Sequence, residues 1–138
     1  AVLSTPKDFA VNSLFSKMSK INTKSIGMQG EQMAARYLQK MNYHIVEKNY
    51  RWGRGEIDII AEKDNTLIFV EVKTARNESF GAPESWVDKR KQTQIGHVAQ
   101  QYLMEKEIDN MDCRFDVVAI TAQDQQWDIQ HIENAFWL

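Results

Sequence analysis

Three ionisable residues interrupt two apolar segments in the middle of the chain. The stretch GEIDIIAEKDNTLIFVEVK, residues 55–73, is rich in isoleucine and valine, yet it contains Asp58, Glu71 and Lys73. Two carboxylates and an ammonium group could together bind a divalent cation and activate a water molecule. Whether these groups meet depends on how the two apolar segments pair.

The residues Asp64 and Asn65 divide this stretch and are typical of a two-residue β-hairpin loop. Counting back from that loop along both strands places Asp58 opposite Glu71. The other face of the two strands is predicted to be wholly apolar and therefore buried, which determines the register. Its residues are Ile57, Ile59, Ala61, Ile68, Val70 and Val72.

Two opposed carboxylates need a compensating charge. Directly opposed Cβ atoms lie about 5 Å apart, so the carboxylates repel by roughly 3 kcal/mol at an effective dielectric constant of about 20. A shared proton or the nearby Lys73 could offset part of this, although the same count places Lys73 opposite Glu56. A divalent cation explains the pair best. Hard oxygen ligands suit Mg²⁺, with Mn²⁺ as an alternative, and the sequence has no His or Cys cluster that would favour zinc.

The pattern of apolar residues predicts the elements that position these groups. A first helix is followed by three strands, one over residues 43–51 and two in the hairpin. A second helix then lasts to about Lys106, and strands follow over residues 113–121 and 127–136, the last at the sheet edge. The predicted fold class is α/β, with a mixed sheet of about five strands flanked by helices.

Length and composition favour a single compact domain. The chain has 138 residues, of which 43% are hydrophobic. We expect residues 25–138 to form that domain and residues 1–24 to be an amphipathic extension. No apolar run approaches the roughly 18 residues needed to span a bilayer, and no signal-peptide pattern is evident, so we expect a cytoplasmic protein without a membrane partner. The lone cysteine, Cys113, is predicted to be a small core residue.

The formal net charge of −2 argues against a nucleic-acid partner, but the charges are unevenly distributed. Basic residues outnumber acidic ones in residues 1–104, and the reverse holds in residues 105–138. The main body of the chain is therefore mildly basic.

Asp58 followed by Glu71-Val72-Lys73 resembles the PD-(D/E)xK signature of restriction-endonuclease-like nucleases, although Ile57 replaces the proline. That superfamily has an αβββαβ core with the two acids and the lysine on its second and third strands. The blocks GEQMAARYL, NYRWGRGEIDII, FVEVKTA and RFDVVAI further resemble the small bacterial YraN family, which is similar to archaeal Holliday-junction resolvases.

The resemblance implies Mg²⁺-dependent hydrolysis of phosphodiester bonds in DNA, with branched or Holliday-junction DNA as a candidate substrate. By this analogy Asp58 and Glu71 would ligate the metal with the Val72 carbonyl, and Lys73 would orient the attacking water. Glu31, on the first helix, matches the superfamily's additional acid.

Nucleic acid is thus the expected partner, with Arg51, Arg54 and Lys91 as candidate phosphate contacts. Related resolvases act as two-fold dimers, so the resemblance also suggests a homodimer. Two alternatives remain at the sequence level: an RNA substrate, or a non-catalytic nucleic-acid-binding or adaptor module on the same fold. The histidines and tryptophans receive no assignment.

Overall fold

The computed structural model describes residues 2–4, 23–76, 86–123 and 126–136. Most of the predicted N-terminal extension lies outside these ranges, so the division of the chain at residue 24 stays a prediction. The described residues form six strands and two helices. In chain order these are β1 (Val2–Ser4), α1 (Thr23–Lys40), β2 (His44–Trp52), β3 (Gly55–Lys63), β4 (Thr66–Arg76), α2 (Lys89–Glu105), β5 (Asp112–Gln123) and β6 (Gln126–Ile132).

The strands form one mixed sheet in the order β1-β6-β5-β4-β3-β2. Strands β4 and β5 are parallel and are connected through α2, whereas all other neighbours are antiparallel. The predicted α/β class and the αβββαβ order are confirmed. The last strand was predicted at the sheet edge, which is wrong because Val2–Ser4 pairs with it and forms a sixth strand.

Each helix covers one face of the sheet. Helix α1 packs through residues such as Leu38 on one core, and α2 packs through Val98 on the other. Because both faces are covered, the central strands are apolar on both sides. The α1 core includes Ile59, Ala61, Ile68, Val70, Val118, Ile120 and Trp127. The α2 core includes Ile57, Ile60, Leu67, Phe69, Val117 and Tyr102.

The hairpin register is the predicted one near the loop. Asp64 and Asn65 have φ values of 52° and 59°, which is the left-handed conformation that a type I′ turn requires. The pairing then runs from Lys63–Thr66 to Ile59–Val70, as predicted.

The prediction that all six apolar hairpin residues share one face is wrong for Ile57. Ile57 belongs to the α2 core, whereas Ile59 belongs to the α1 core, so the alternation changes between them. This change coincides with the end of the β3–β4 ladder and with the step of the β2–β3 register from Lys48–Ile59 to Tyr50–Ile57, where Asn49 has a left-handed φ of 53°. The second helix offers Ile57 an equally apolar environment.

A buried carboxylate ties the far end of the sheet together. Asp116 is 0% exposed and accepts hydrogen bonds from the Arg114 guanidinium, the backbone N–H of Asn134 and His131 Nε2. His131 Nδ1 in turn lies 3.0 Å from the Tyr37 hydroxyl on α1. In contrast, Cys113 at the start of β5 is exposed, so its prediction as a core residue is wrong.

Candidate active site

The two predicted acidic ligands meet where β3 and β4 stop pairing. The ladder ends at the Ile59–Val70 pair, and the next N–H available from β4, that of Val72, donates to Asp58 Oδ2 at 2.8 Å. The side chain of Asp58 thus replaces a backbone acceptor between the two strands. This arrangement directs the carboxylate toward β4 and the Glu71 side chain.

The carboxyl groups of Asp58 and Glu71 are close enough to perturb each other's ionisation. Burial and then the charge of Glu71 raise the pKa of Asp58 to about 7, and a hydrogen bond between the two carboxyl groups adds to this rise. Burial also raises the pKa of Glu71, whose side chain is only 10% exposed. The predicted proximity of the two acids is present, although through diverging strands rather than a continuous ladder.

Two lysines lie beside this carboxyl pair. Lys91 Nζ is 3.9 Å from Glu71 Oε2, and Lys91 belongs to the first turn of α2, where its backbone N–H is capped by Asp88. Lys73 lies on the same strand as Glu71, and the charges of both lysines lower the pKa of that carboxyl against the effect of burial. The cations therefore stabilise the ionised form of Glu71 more than that of Asp58.

A second group of acids adjoins Asp58 on the α1 side. One carboxylate oxygen from each of Glu31, Glu56 and Asp58 lies within 4.8 Å of the others. Asn49 joins two of them, because its Nδ2 donates to Glu31 Oε1 at 2.8 Å and to Glu56 Oε1 at 2.9 Å. Burial raises the pKa of Glu31, and the charge of Asp58 raises it further, whereas the hydrogen bond from Asn49 lowers it.

The predicted pairing of Glu56 with Lys73 is wrong. Glu56 Oε2 lies 2.9 Å from Arg51 Nε on the neighbouring strand β2, and these two residues are directly opposite each other in the β2–β3 register. The roles of Glu56 and Asn49 in the acidic group were therefore missed. The sequence signal at Asn49 was an asparagine within a predicted strand, a residue type that is rare in strands. In the structure Asn49 has a left-handed φ of 53°.

The candidate phosphate contacts border this site. Arg51 is exposed on β2, and Arg54 is exposed in the turn that joins β2 to β3. The Arg54 carbonyl accepts from Gln94 Nε2 at 3.3 Å, which holds the turn against α2. Gly55 permits this close approach, because a Cβ there would lie 2.5 Å from Val98 Cγ2. Arg51 and Lys91 thus lie beside acids of the site, and Arg54 is exposed in the adjoining turn. Their contact with a substrate stays a prediction.

The chemistry of these donors fits a hard divalent cation. Among the described residues the potential metal-binding group consists of carboxylates, without histidine or cysteine. Asp58 also forms a buried pair with Glu71, and a bound cation would relieve the repulsion between these two carboxylates. His44 and His97 are exposed and His131 is bound to Asp116, so none joins the site.

The fold and these acids define a small α/β protein with an acidic site at the open end of its central hairpin. The model of uncharacterised protein family UPF0102 matches residues 30–120. The "UPF0102 protein" of Alkaliphilus oremlandii is 45% identical over 82% of this chain and 98% of its own length. The "UPF0102 protein" of Geotalea uraniireducens is 46% identical over 86% of this chain and 94% of its own. This chain belongs to the UPF0102 family, which confirms the resemblance to the YraN family.

In the part of the chain that the structure describes, neither helix is long and apolar enough to cross a membrane.

Proposed function

We propose that this protein is a Mg²⁺-dependent endonuclease that hydrolyses phosphodiester bonds in DNA, with branched or Holliday-junction DNA as its substrate. The observation that supports this proposal is the buried contact between the Asp58 and Glu71 carboxyl groups beside Lys73 and Lys91. A protein that only binds nucleic acid would gain nothing from buried carboxylates that repel phosphate. A metal-dependent hydrolase needs them.

In this proposal Asp58, Glu71 and the Val72 carbonyl hold the metal, and Glu31 binds its waters from the α1 side. Bound there, Mg²⁺ would polarise the phosphodiester and lower the pKa of a bound water. Lys73 orients the attacking water and places its positive charge where negative charge develops in the transition state.

The phosphate contacts of the proposal are Arg51, Arg54 and Lys91. Exposed guanidinium groups suit this role because they bind phosphate oxygens in a planar, bidentate manner. Lys91 would contact a phosphate next to the metal, since its ammonium already lies 3.9 Å from Glu71. Their charge offsets the repulsion between the acidic site and the nucleic-acid backbone.

The proposal is tested with four-way junction, flap, single-stranded and duplex DNA and with RNA, each in Mg²⁺, Mn²⁺ or EDTA. We expect the wild type to cut branched DNA with Mg²⁺ or Mn²⁺ and Asp58→Ala to cut none. The matched control Asp109→Ala changes an exposed carboxylate and should cut like the wild type. If the wild type binds these substrates and cuts none, the binding module replaces the nuclease. If only RNA is cut, the substrate assignment is wrong.

A junction presents two equivalent strands, so the proposal includes a two-fold homodimer. Sedimentation of the protein with and without a four-way junction measures this. A single protein chain on each junction would contradict the dimer.

A further inference from the structure

Trp52 differs from the other described tryptophans in its exposure. It lies at the end of β2 and is 48% exposed, whereas Trp127 is fully buried and Trp86 is 7% exposed. Tryptophan is enriched at binding surfaces, where one part of the ring system is apolar and the other is in contact with water.

The turn that carries Trp52 is both accessible and held in place. Trp52 pairs with Gly55 across a turn of two residues, Gly53 and Arg54, and Gly53 has a left-handed φ of 61°. A Cβ on Gly53 would meet nothing within 4 Å, so the tip of the turn is open to solvent. The hydrogen bond from Gln94 to the Arg54 carbonyl anchors the same turn on α2. Trp52 therefore sits on a supported part of the fold.

The residues beside Trp52 carry positive charge. Arg51 precedes it with a side chain that is 75% exposed, and Arg54 follows it in the turn. The ion pair with Glu56 engages Arg51 Nε at 2.9 Å and leaves other guanidinium donors available. Arg51 and Trp52 are consecutive residues of β2, so their side chains leave opposite faces of the same sheet end, and Arg54 follows in the turn. An exposed aromatic ring at such a basic sheet end is complementary to a nucleic-acid strand, which offers bases to stack and phosphates to pair.

The turn is also a short distance from the acidic site. Asp58 is three residues along β3 from Gly55, the partner of Trp52, which is about 10 Å at 3.3 Å per residue. Stacked nucleotides of one strand are about 3.4 Å apart, so this distance corresponds to about three nucleotides.

We propose that Trp52 is a stacking platform for an unpaired base within about three nucleotides of the phosphate at the Asp58–Glu71 site. This inference rests on the proposed function, because it requires a nucleic acid at that site. A base inside a continuous duplex is stacked on both sides and has no free face for Trp52. The platform therefore selects single-stranded gaps and branch points over uninterrupted duplex.

The test measures binding of the full chain, in EDTA, to a duplex with a five-nucleotide gap and to the matched uninterrupted duplex. Trp52→Ala should weaken binding to the gapped probe by about tenfold and to the duplex by less than about twofold. Trp52→Phe keeps an aromatic face and should remain within about threefold of the wild type. The control Met104→Ala removes another exposed apolar side chain, 68% exposed near the end of α2, and should have no effect.

Two further measurements separate stacking from general binding. The salt dependence of Trp52→Ala should equal that of the wild type, because no charge is removed. The second measurement needs only the wild-type protein, so it does not depend on a stable variant. A 2-aminopurine base in the gap of the probe should lose fluorescence when the protein binds, because a stacked 2-aminopurine is quenched. Equal losses on both probes, or an unquenched 2-aminopurine, would overturn the inference.

The outcomes for the two proposals are distinct. If Trp52→Ala loses binding to the gapped probe as expected but the wild type cuts nothing with Mg²⁺, the stacking platform is supported and the nuclease is not. If Asp58→Ala abolishes cleavage while Trp52→Ala binds and cuts gapped DNA like the wild type, the nuclease is supported and the platform is overturned.

Discussion

The Asp58 carboxyl group accepts the Val72 N–H and lies against the carboxyl group of Glu71. The hydrogen bond favours the ionised form, but burial and the second carboxyl group oppose it more strongly, and the pKa is raised. In the absence of a cation, the folded protein therefore holds a proton here more tightly than the unfolded chain does. This has a measurable consequence for stability.

Because the pKa of Asp58 is higher in the folded protein than its ordinary value of 3.8, the metal-free fold should lose stability as pH rises toward about 7. Asp58→Asn cannot ionise, and its amide oxygen can still accept the Val72 N–H. In EDTA, Asp58→Asn should raise the free energy of unfolding relative to the wild type, and this increase should be about 3 kcal/mol larger at about pH 8 than at about pH 4.5.

Chemical denaturation at both pH values measures this gain. Asp109→Asn, which changes an exposed acid, serves as the control. A gain for Asp58→Asn that is equal at the two pH values would contradict the raised pKa.

Lys73 provides a test of chemistry at the residue scale. Lys73→Met keeps an unbranched side chain and removes the ammonium, so turnover should fall roughly a hundredfold, on the order of 3 kcal/mol of transition-state stabilisation. Affinity for DNA should change little. Single-turnover cleavage and binding titrations are compared with those of Lys106→Met, which removes an exposed lysine just after α2. Cleavage by Lys73→Met at the wild-type rate would contradict a catalytic role.

At the scale of elements, Asp116 connects β5 to β6, and through His131 it reaches α1. Burial alone would raise the pKa of Asp116, but hydrogen bonds from His131 and Arg114 hold it below the ordinary value. The Arg114 guanidinium also contacts the Tyr43 hydroxyl at 2.9 Å. These groups surround a single carboxylate, so its charge supports several elements at once.

Asp116→Asn keeps the side-chain shape but leaves Arg114 without its buried counter-charge. We expect a loss of about 3–5 kcal/mol in the free energy of unfolding at neutral pH, measured by urea denaturation. Because a depressed pKa contributes stability that is lost as pH falls, the variant should also be less sensitive to acid than the wild type. Asp112→Asn, at an exposed position on β5, should remain within about 0.5 kcal/mol of the wild type. Equal stabilities of the two variants would contradict this role.

At the scale of the whole molecule the net charge is −2, yet basic residues lie next to the acidic site and form what we call its basic border. The β2–β3 turn contributes Arg51 and Arg54, and the first turn of α2 contributes Lys91. The end of α2, with Lys106, lies one helix length away from this border. Nucleic-acid binding should therefore depend on the position of each positive charge rather than on the total.

Arg54→Ala should reduce the slope of log affinity against log salt concentration by about one unit, because one phosphate contact is lost. Lys106→Ala removes the same charge outside the border and should leave the slope unchanged. Anisotropy titrations of junction DNA over a range of salt concentrations measure both. Identical slopes for the two variants would place the nucleic acid elsewhere on the surface.

Features that depend on neighbouring residues could be predicted from the sequence. Asp64 and Asn65 tolerate a left-handed φ, and this local chemistry determines the turn and the register as far as Ile59–Val70. The order of helices and strands followed from apolar periodicity in the same way. The proximity of Asp58 and Glu71 was therefore predictable before any tertiary contact was known.

The tertiary structure set the side-chain contacts that the β3–β4 turn does not determine. Glu56 pairs with Arg51 rather than Lys73, and Asn49 joins Glu56 to Glu31, because β2 and α1 approach the end of the hairpin. The bond between His131 and Asp116 likewise depends on β6 lying beside β5. Which ionisable side chains interact depends on their distance and burial in the folded molecule. Turn propensity and apolar periodicity act within one segment, so they contain no information about which segments will bring those side chains together.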